Sequence, residues 1–368
     1  MRTGVRPARG RLRVGMVGHP AAGAAHARAW RAVNRDLDLP LRAELTAVCG
    51  TGPAGGAAAH RLGGAGRYAD WRDLVARDDI DLIDICAPGR DHAGIAIAAL
   101  DAGKHVLCGK PLANTLAEAE AMAGAAARAH RHGVRAMCGS GYRRVPAVAL
   151  LRDLVAAGRL GTVRRVRAAY RTDEPGWWPP VGSGSDLGAH VVDLAQYVTG
   201  RRVTGVTAVT GPSAPGTRRG WTTVDDAALV VGRLDGGGLA SFEAGPAAGR
   251  RNALRIEVDG DRGSLAFDRD RPDELVLRET RGRTVLRTGP RRAPDAGHTV
   301  THQLRDLIAA IGAGTDPGPS FTEALGVQLV LDAAERSAAN GAGWTTVHHP
   351  GERVRPPAVA GPAGTPRH

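Results

Sequence analysis

Residues 12–23 read LRVGMVGHPAAG: an apolar run from Leu12 to Val17, then Gly18 and, five residues on, Gly23. A short apolar run closed by glycine, followed by helix formers through Trp30 and Val33, predicts a strand, a tight turn and a helix, the opening of a βαβ unit. Working outward, the alternation repeats. Strands are expected at 45–49, at 80–86 (IDLIDIC), at 105–108 and at 134–138. Between them lie a Gly/Ala-rich helix ending near Gly63, a short amphipathic helix carrying Tyr68, Trp71 and Leu74, and a helix over 92–101 stopped by Gly103. A helix over 115–132 opens with the capping box Thr115 and Glu118. Strands alternating with helices at this spacing indicate an α/β fold with a parallel, doubly wound sheet.

The pattern changes at Tyr142. A helix over 145–157 leads into a strand at 163–171, a loop holding Trp177 and Trp178, and a helix over 186–198. Strands follow at 203–209, 224–234, 238–243, 253–258, 264–267, 274–278 and 284–286, then helices over 300–311 and 322–340. Strands with few helices between them predict an α+β unit whose large, open and mostly antiparallel sheet is covered on one face. The expected organisation is a basic extension over 1–11, a dinucleotide-binding Rossmann domain over 12–140, a substrate and oligomerisation domain over 141–349, and a disordered Pro/Gly/Arg-rich tail over 350–368.

Composition narrows the function. Hydrophobic residues make up 43% and charged residues 23%, a globular balance. No run approaches the ~18 apolar residues of a membrane span, and no apolar segment of signal-peptide type follows the basic start. Cys49, Cys86, Cys108 and Cys138 are scattered, with no CxxC or metal-ligand spacing. They read as buried thiols in a reducing, cytoplasmic compartment, with no metal. The net charge of +12 does not indicate nucleic-acid binding: the arginines are dispersed and aromatic residues are only 4%. Of 49 basic residues only Lys104 and Lys110 are lysine. Where arginine supplies nearly every cation, a lysine is expected to do what a guanidinium cannot, such as release a proton near neutral pH.

In the run Gly18-x-Pro20-x-x-Gly23 the first and third glycines of a dinucleotide turn are present, and proline replaces the second, removing an N–H. Gly18, Pro20, Ala21 and Gly23 are the candidate diphosphate contacts. The second strand ends in Gly50 and Thr51, without the carboxylate that grips a ribose in NAD enzymes. Thr51 can hydrogen-bond a 2′-phosphate, so NAD and NADP both stay open.

The order of motifs resembles the glucose–fructose oxidoreductase/inositol dehydrogenase/rhizopine catabolism (Gfo/Idh/MocA) family. The matching residues are VGMVG (14–18) with Gly23 and His26, DICAP (84–88) with His92, AGKHVLCGKP (102–111), YRRVP (142–146), GRLG (158–161), and DLGAH (186–190) with Asp193. The resemblance covers about residues 12–347. The resemblance implies transfer of hydride between nicotinamide and a secondary alcohol of a sugar, cyclitol or polyol. It also implies a homo-oligomer, dimer or tetramer. Carried over by position, Lys110, Asp186 and His190 form the catalytic set, while Ala87, Pro88, His92 and Lys110 lie at the cofactor. Asp186 and His190 stand four apart, so one helix face presents both. His190 would be the acid/base, Lys110 would orient the hydroxyl, and Asp186 would bind substrate. Tyr142, Arg143 and Trp177 are further substrate-site candidates, the aromatic rings suiting a sugar face. Taken singly, Lys110 also reads as a loop residue, Asp186 as a helix N-cap and His190 as a buried histidine. The chain departs from the family pattern at Pro20, Gly50, Gly109 (glutamate in the family), Gly141 (asparagine) and Ser185 (glycine). These departures keep an alternative in view: a catalytically weak homologue that binds dinucleotide or sugar as a sensor.

Overall fold

The computed structural model describes residues 10–18, 20–36, 39–50, 66–172, 183–211, 227–247, 252–289 and 296–350; of residues 20–22, 36, 183–186 and 296–298 only the backbone is described. The basic extension up to residue 9, the helix expected before Gly63, Thr51, Trp177, Trp178 and the tail beyond Pro350 lie outside the described residues. So do the side chains of Pro20, Ala21 and Asp186.

The first sheet has six parallel strands: β1 (Arg11–Gly18), β2 (Arg42–Gly50), β3 (Gly66–Tyr68), β4 (Leu82–Cys86), β5 (His105–Cys108) and β6 (Ala136–Cys138), ordered β3-β2-β1-β4-β5-β6. Central β4 is buried at every position, as a strand covered on both faces must be. The covering helices are α1 (Pro20–Asp36), α2 (Trp71–Val75), α3 (Gly89–Asp101) and α4 (Leu116–His130). The capping box of α4 forms as the sequence predicts, with the Thr115 hydroxyl and the Glu118 carboxylate each accepting the other's backbone N–H. Gly15 lets α2 close on the sheet: a Cβ there would stand 2.8 Å from Leu74 Cδ2. Tyr68 belongs to β3 and not to the helix expected around it. Asp70 caps α2 instead, its carboxylate accepting the Arg72 N–H at 2.9 Å. Three residues carry too little periodicity to announce a strand.

The second sheet has nine strands: β7 (Val163–Thr172), β8 (Val203–Gly211), β9 (Ala227–Leu234), β10 (Leu239–Pro246), β11 (Asn252–Gly260), β12 (Ser264–Asp268), β13 (Glu274–Glu279), β14 (Gly282–Arg287) and β15 (Thr345–Thr346), ordered β14-β13-β12-β11-β7-β10-β9-β8-β15. All neighbours are antiparallel except β7 and β10. Its inner face packs on α5 (Pro146–Ala156), α6 (Ser183–Thr199) and α8 (Phe321–Ala339). Its other face carries exposed Val209, Leu229, Val231 and Leu239, beside the cross-strand ion pairs Arg165–Asp259 and Arg167–Glu257.

The last helices return to the first sheet. Leu304, Leu307 and Ile308 of α7 (Ala296–Ala313) join the core formed by Leu12, Trp30 and Met137. Phe321 and Leu325 of α8 join the core on the other side, and the Cys138 N–H donates to the Pro319 carbonyl at 2.8 Å. The two sheets therefore share apolar walls, which fixes the crevice between them. Among the described residues no helix is long and apolar enough to cross a membrane.

Candidate active site

Strand order reverses between β1 and β4, so the loops leaving their carboxyl ends diverge and open a crevice, the place where open α/β sheets bind ligands. Gly18 ends β1, and a Cβ on it would meet Cys86 Cβ at 3.3 Å and Gly23 Cα at 3.5 Å. The strand and helix approach closely there because neither glycine has a side chain. Helix α1 starts at Pro20, with its N-terminus at this crevice. Proline at the first helical position sacrifices an N–H that has no intrahelical partner. The obstacle expected from Pro20 is thus smaller than the sequence suggests. A cradle of glycines without side chains, a helix N-terminus and a bare strand end at Gly50 fit a dinucleotide's diphosphate and ribose.

Behind this turn lies a network that sequence reading touched only as motif positions. The buried Asp84 carboxylate faces His26 Nδ1 at 2.9 Å, accepts the Trp30 indole N–H at 2.7 Å, and accepts Cys86 Sγ–H at 3.4 Å. Burial is the largest influence on His26 and opposes its charge. Attraction and hydrogen bonding from Asp84 together outweigh it and raise the His26 pKa. His26, Asp84 and Cys86 also have the closeness of a metal-ligand group, which these hydrogen bonds account for.

Ala87 and Pro88 follow β4, and Lys110 follows β5 by two residues, so the two loops meet side by side. His92 of α3 ties them: Nε2 lies 3.0 Å from the Ala87 carbonyl and Nδ1 lies 3.1 Å from that of Pro111. Burial lowers the His92 pKa against the pull of these carbonyls. His92 was expected at the cofactor. Both its nitrogens instead face backbone carbonyls, one of them donating, and at 2% exposure it supports the loops that would touch a cofactor. Gly109, where the family has glutamate, has room for a Cβ, which would meet His92 Cε1 and the Ile85 carbonyl at 3.4 Å. The other lysine, Lys104, is structural: its buried ammonium donates to the carbonyls of Arg77 at 2.6 Å and Ile80 at 2.8 Å.

Lys110 and His190 line one small cavity, together with Cys138, Ser140 and Gln328. They come from different lobes, Lys110 from the first sheet and His190 from α6 beneath the second. Tyr142 and Tyr170 fix the imidazole. Tyr142 stands edge-on to it with ring centroids 4.9 Å apart, Tyr170 is tilted at 5.3 Å, and the two phenol oxygens are hydrogen-bonded at 3.0 Å. Burial, then the charges of Lys110 and Arg269, push the His190 pKa well below its ordinary value. The ring is therefore neutral at physiological pH, the form that accepts a proton. Asp186 lies one turn before His190 on the same helix.

Arg143 corrects an expectation. It does not present its charge to a substrate: the guanidinium, 7% exposed, forks onto Asp193 at 3.0 and 3.1 Å from Nε, reaches Glu323 at 2.8 Å, and lies over the Tyr197 ring. It locks the short 3₁₀ turn Gly141–Arg144 to α6 and α8 and thereby aims its neighbour Tyr142. Tyr170 and Arg269 were missed by sequence reading. Tyr170 alternates inward with the apolar residues of β7, and Arg269 sits among dispersed arginines with no motif around it.

A doubly wound parallel sheet with a glycine turn, joined to an open antiparallel sheet, with a lysine and a neutral histidine meeting between them, defines an oxidoreductase of the dinucleotide-binding class. Residues 12–139 match the family model described as oxidoreductase family, NAD-binding Rossmann fold, and residues 148–266 match the GFO/IDH/MocA C-terminal domain. The chain belongs to the GFO/IDH/MocA oxidoreductase family. Levoglucosan dehydrogenase of Pseudarthrobacter phenanthrenivorans is 32% identical, over 89% of this chain and 96% of the relative. The crystal structure of an oxidoreductase domain protein from Kribbella flavida is 44% identical with a TM-score of 0.84, over 92% of this chain and 99% of that one. A levoglucosan dehydrogenase in complex with NADH and L-sorbose is 30% identical with a TM-score of 0.84, over the same shares.

Proposed function

We propose that this protein is an NAD- or NADP-dependent dehydrogenase that oxidises a secondary alcohol of a sugar, cyclitol or polyol, or reduces the matching ketone. The observation that carries this reading is the meeting of Lys110 with a neutral His190 in one cavity beside the dinucleotide crevice. Bound nicotinamide would supply the hydride acceptor. The residues of the chain supply the rest. Lys110 donates a hydrogen bond to the reacting oxygen and stabilises its developing negative charge. His190 takes the hydroxyl proton, and Asp186, one turn away, holds a neighbouring hydroxyl. Tyr142 and Tyr170 keep the imidazole from turning. The relative bound to NADH and L-sorbose supports a sugar as substrate.

The test is NADH binding by fluorescence, followed by a panel of sugars and cyclitols read at the nicotinamide absorbance. Turnover lost in both Lys110→Ala and His190→Ala is the expected result. Tight NADH binding with no turnover on any sugar or cyclitol would replace this reading by that of a dinucleotide sensor.

The second sheet's bare face supports a homo-oligomer, dimer or tetramer, formed by packing this face on a second copy. Exposed Val209, Leu229 and Val231 form an apolar strip there, beside rows of alternating charge that a second copy can complement. Light scattering of a Leu229→Glu variant tests it, dissociation being expected. The four buried free thiols support a reducing, cytoplasmic setting.

A further inference from the structure

The buried residues of α8 are apolar, Phe321, Leu325, Val330 and Leu331 among them, with two polar exceptions. Ser337 is accounted for: its hydroxyl accepts the Ala208 N–H at 2.9 Å and donates to the Gly343 carbonyl at 2.6 Å. Gln328 is not. It is 6% exposed, and among the described residues its carboxamide has no hydrogen-bond partner. A buried carboxamide without a partner is costly to keep. It does not face a closed core, however, because Gln328 lines the cavity that Lys110 and His190 share.

Helix spacing puts it there. Ala324, Val327 and Gln328 stand at i, i+3 and i+4, and all three line the cavity. Ala189, His190 and Asp193 of α6 form the facing wall, with the Asp193 carboxylate already taken by Arg143. The cavity holds about 20 Å³, room for a water-sized group and too little for a sugar ring. What a substrate can send into it is a hydroxyl. A carboxamide both donates and accepts, and so does a hydroxyl. The reacting oxygen is a poor match, since it gives its proton to His190 and ends as a carbonyl that only accepts. A hydroxyl on the next carbon keeps both functions throughout. Holding it also removes a freedom that Lys110 and His190 leave: a ring held by the reacting oxygen alone can turn about it, and a second attachment fixes which C–H faces the nicotinamide.

We propose that Gln328 binds the substrate hydroxyl next to the carbon that is oxidised, so that the compound taken here carries a free vicinal diol. The proposal rests on the dehydrogenase reading above, and its test separates the two. Turnover of levoglucosan and myo-inositol is compared with that of their monodeoxy analogues, in the wild-type protein and in Gln328→Met, which keeps the length and removes the carboxamide. In the wild type, the analogue lacking the hydroxyl held by Gln328 should lose at least about tenfold in kcat/KM against its parent. Gln328→Met should lower the parent by a similar factor and change that analogue by less than about twofold, closing the gap. A variant that lowers parent and analogues alike, or leaves the parent unchanged, overturns the proposal and leaves the dehydrogenase reading standing. If neither parent is turned over, calorimetry of the same compounds on the NADH-loaded protein decides. Parent binding weakened by Gln328→Met supports the contact though the activity reading falls; binding equal in both proteins, or absent in both, overturns it. Urea unfolding of the sugar-free protein separates binding from a structural role. Gln328→Met should unfold at the wild-type midpoint or above it, and a lower midpoint overturns the proposal.

Discussion

Tyr142 stands perpendicular to His190, ring planes at 76° and centroids 4.9 Å apart, while its hydroxyl is tied to Tyr170. The pair comes from two elements, a 3₁₀ turn and a long helix. Among the described residues the proposed acid/base group is therefore held by edge contacts and not by a hydrogen bond to its ring. Edge-to-face pairs contribute about 0.5–1.5 kcal/mol beyond burial. Tyr142→Phe keeps the edge and should change kcat by less than about threefold, whereas Tyr142→Ala frees the imidazole and should lower kcat by about tenfold. Steady-state kinetics on any accepted sugar reads the difference. Equal losses in both variants would show that the hydroxyl, and not the ring, is what matters.

The charge state of His190 sets the acid limb of activity. Burial first, then Lys110 and Arg269, hold its pKa well below 6.5. A proton acceptor so placed is neutral across the usual histidine range, so kcat/KM should stay flat as pH falls through 6.5 and decline only at lower pH. Arg269→Gln removes one repelling cation, raises the His190 pKa and should move the limb upward. A wild-type inflection at 6.5 would contradict this placement.

Much of this was legible in the chain. The runs LRVGMVG and IDLIDIC announce buried parallel strands because apolar residues are continuous where both faces are covered. Lys110 stands out because lysine is otherwise nearly absent, although the same reasoning flags Lys104, which merely caps two carbonyls. The i, i+4 spacing of Asp186 and His190 placed both on one helix. What could not be read depends on contacts across long stretches of chain. Arg143 looks like a free cation until Asp193 and Glu323, 50 and 180 residues away, fold onto it. Tyr170 looks like core because β7 alternates. The return of α7 to the first sheet leaves no local mark, since an amphipathic helix does not name the surface it will cover.

The Arg143–Asp193 pair is buried on both sides. Breaking such a pair leaves an uncompensated charge, at about 3–5 kcal/mol. Arg143→Met should lower unfolding stability by that order in urea titrations. Replacing both partners, Arg143→Met with Asp193→Leu, should recover most of it. Since the pair also aims Tyr142, the double variant is expected to remain slow even where it is stable. A double variant as unstable as the single would show that the orphaned charge is not the source of the loss.

His105 gives stability an acid dependence. Its Nδ1 accepts the Arg135 backbone N–H at 2.9 Å, which requires the unprotonated nitrogen. Burial above all, reinforced by Arg135 and opposed by Asp81, pushes its pKa down to about 4. The unfolded chain takes up the proton near 6.5, the folded chain only near 4. The stabilisation is complete above about 6.5 and is lost as pH falls towards about 4, amounting to roughly 3 kcal/mol in all. Between pH 6.5 and 5 about 2 kcal/mol of it should disappear. Asn at this position can still accept the N–H without titrating. The fall in stability between pH 7 and pH 5 should therefore be smaller in His105→Asn by about that amount; equal falls would assign the acid sensitivity elsewhere.

Two glycines at the crevice make opposite forecasts. Gly109 replaces the family glutamate, yet a Cβ there makes only ordinary contacts at 3.4 Å, and its φ is not in the left-handed region. Gly109→Ala should fold normally and gain about 0.4–1 kcal/mol by restricting the unfolded chain. The site thus has space at its first atom for the missing side chain. At Gly18 the added carbon meets Cys86 Cβ at 3.3 Å and the Gly23 backbone at 3.5 Å. The tight contact is with Cys86 at the end of β4, which must give by a few tenths of an ångström beside the place where the diphosphate is expected to sit. Gly18→Ala should therefore weaken NADH binding by about tenfold or more in a fluorescence titration, with Gly109→Ala unaffected. Weakening by Gly109→Ala but not by Gly18→Ala would mean that the dinucleotide lies against the β5 loop and not on the β1 turn.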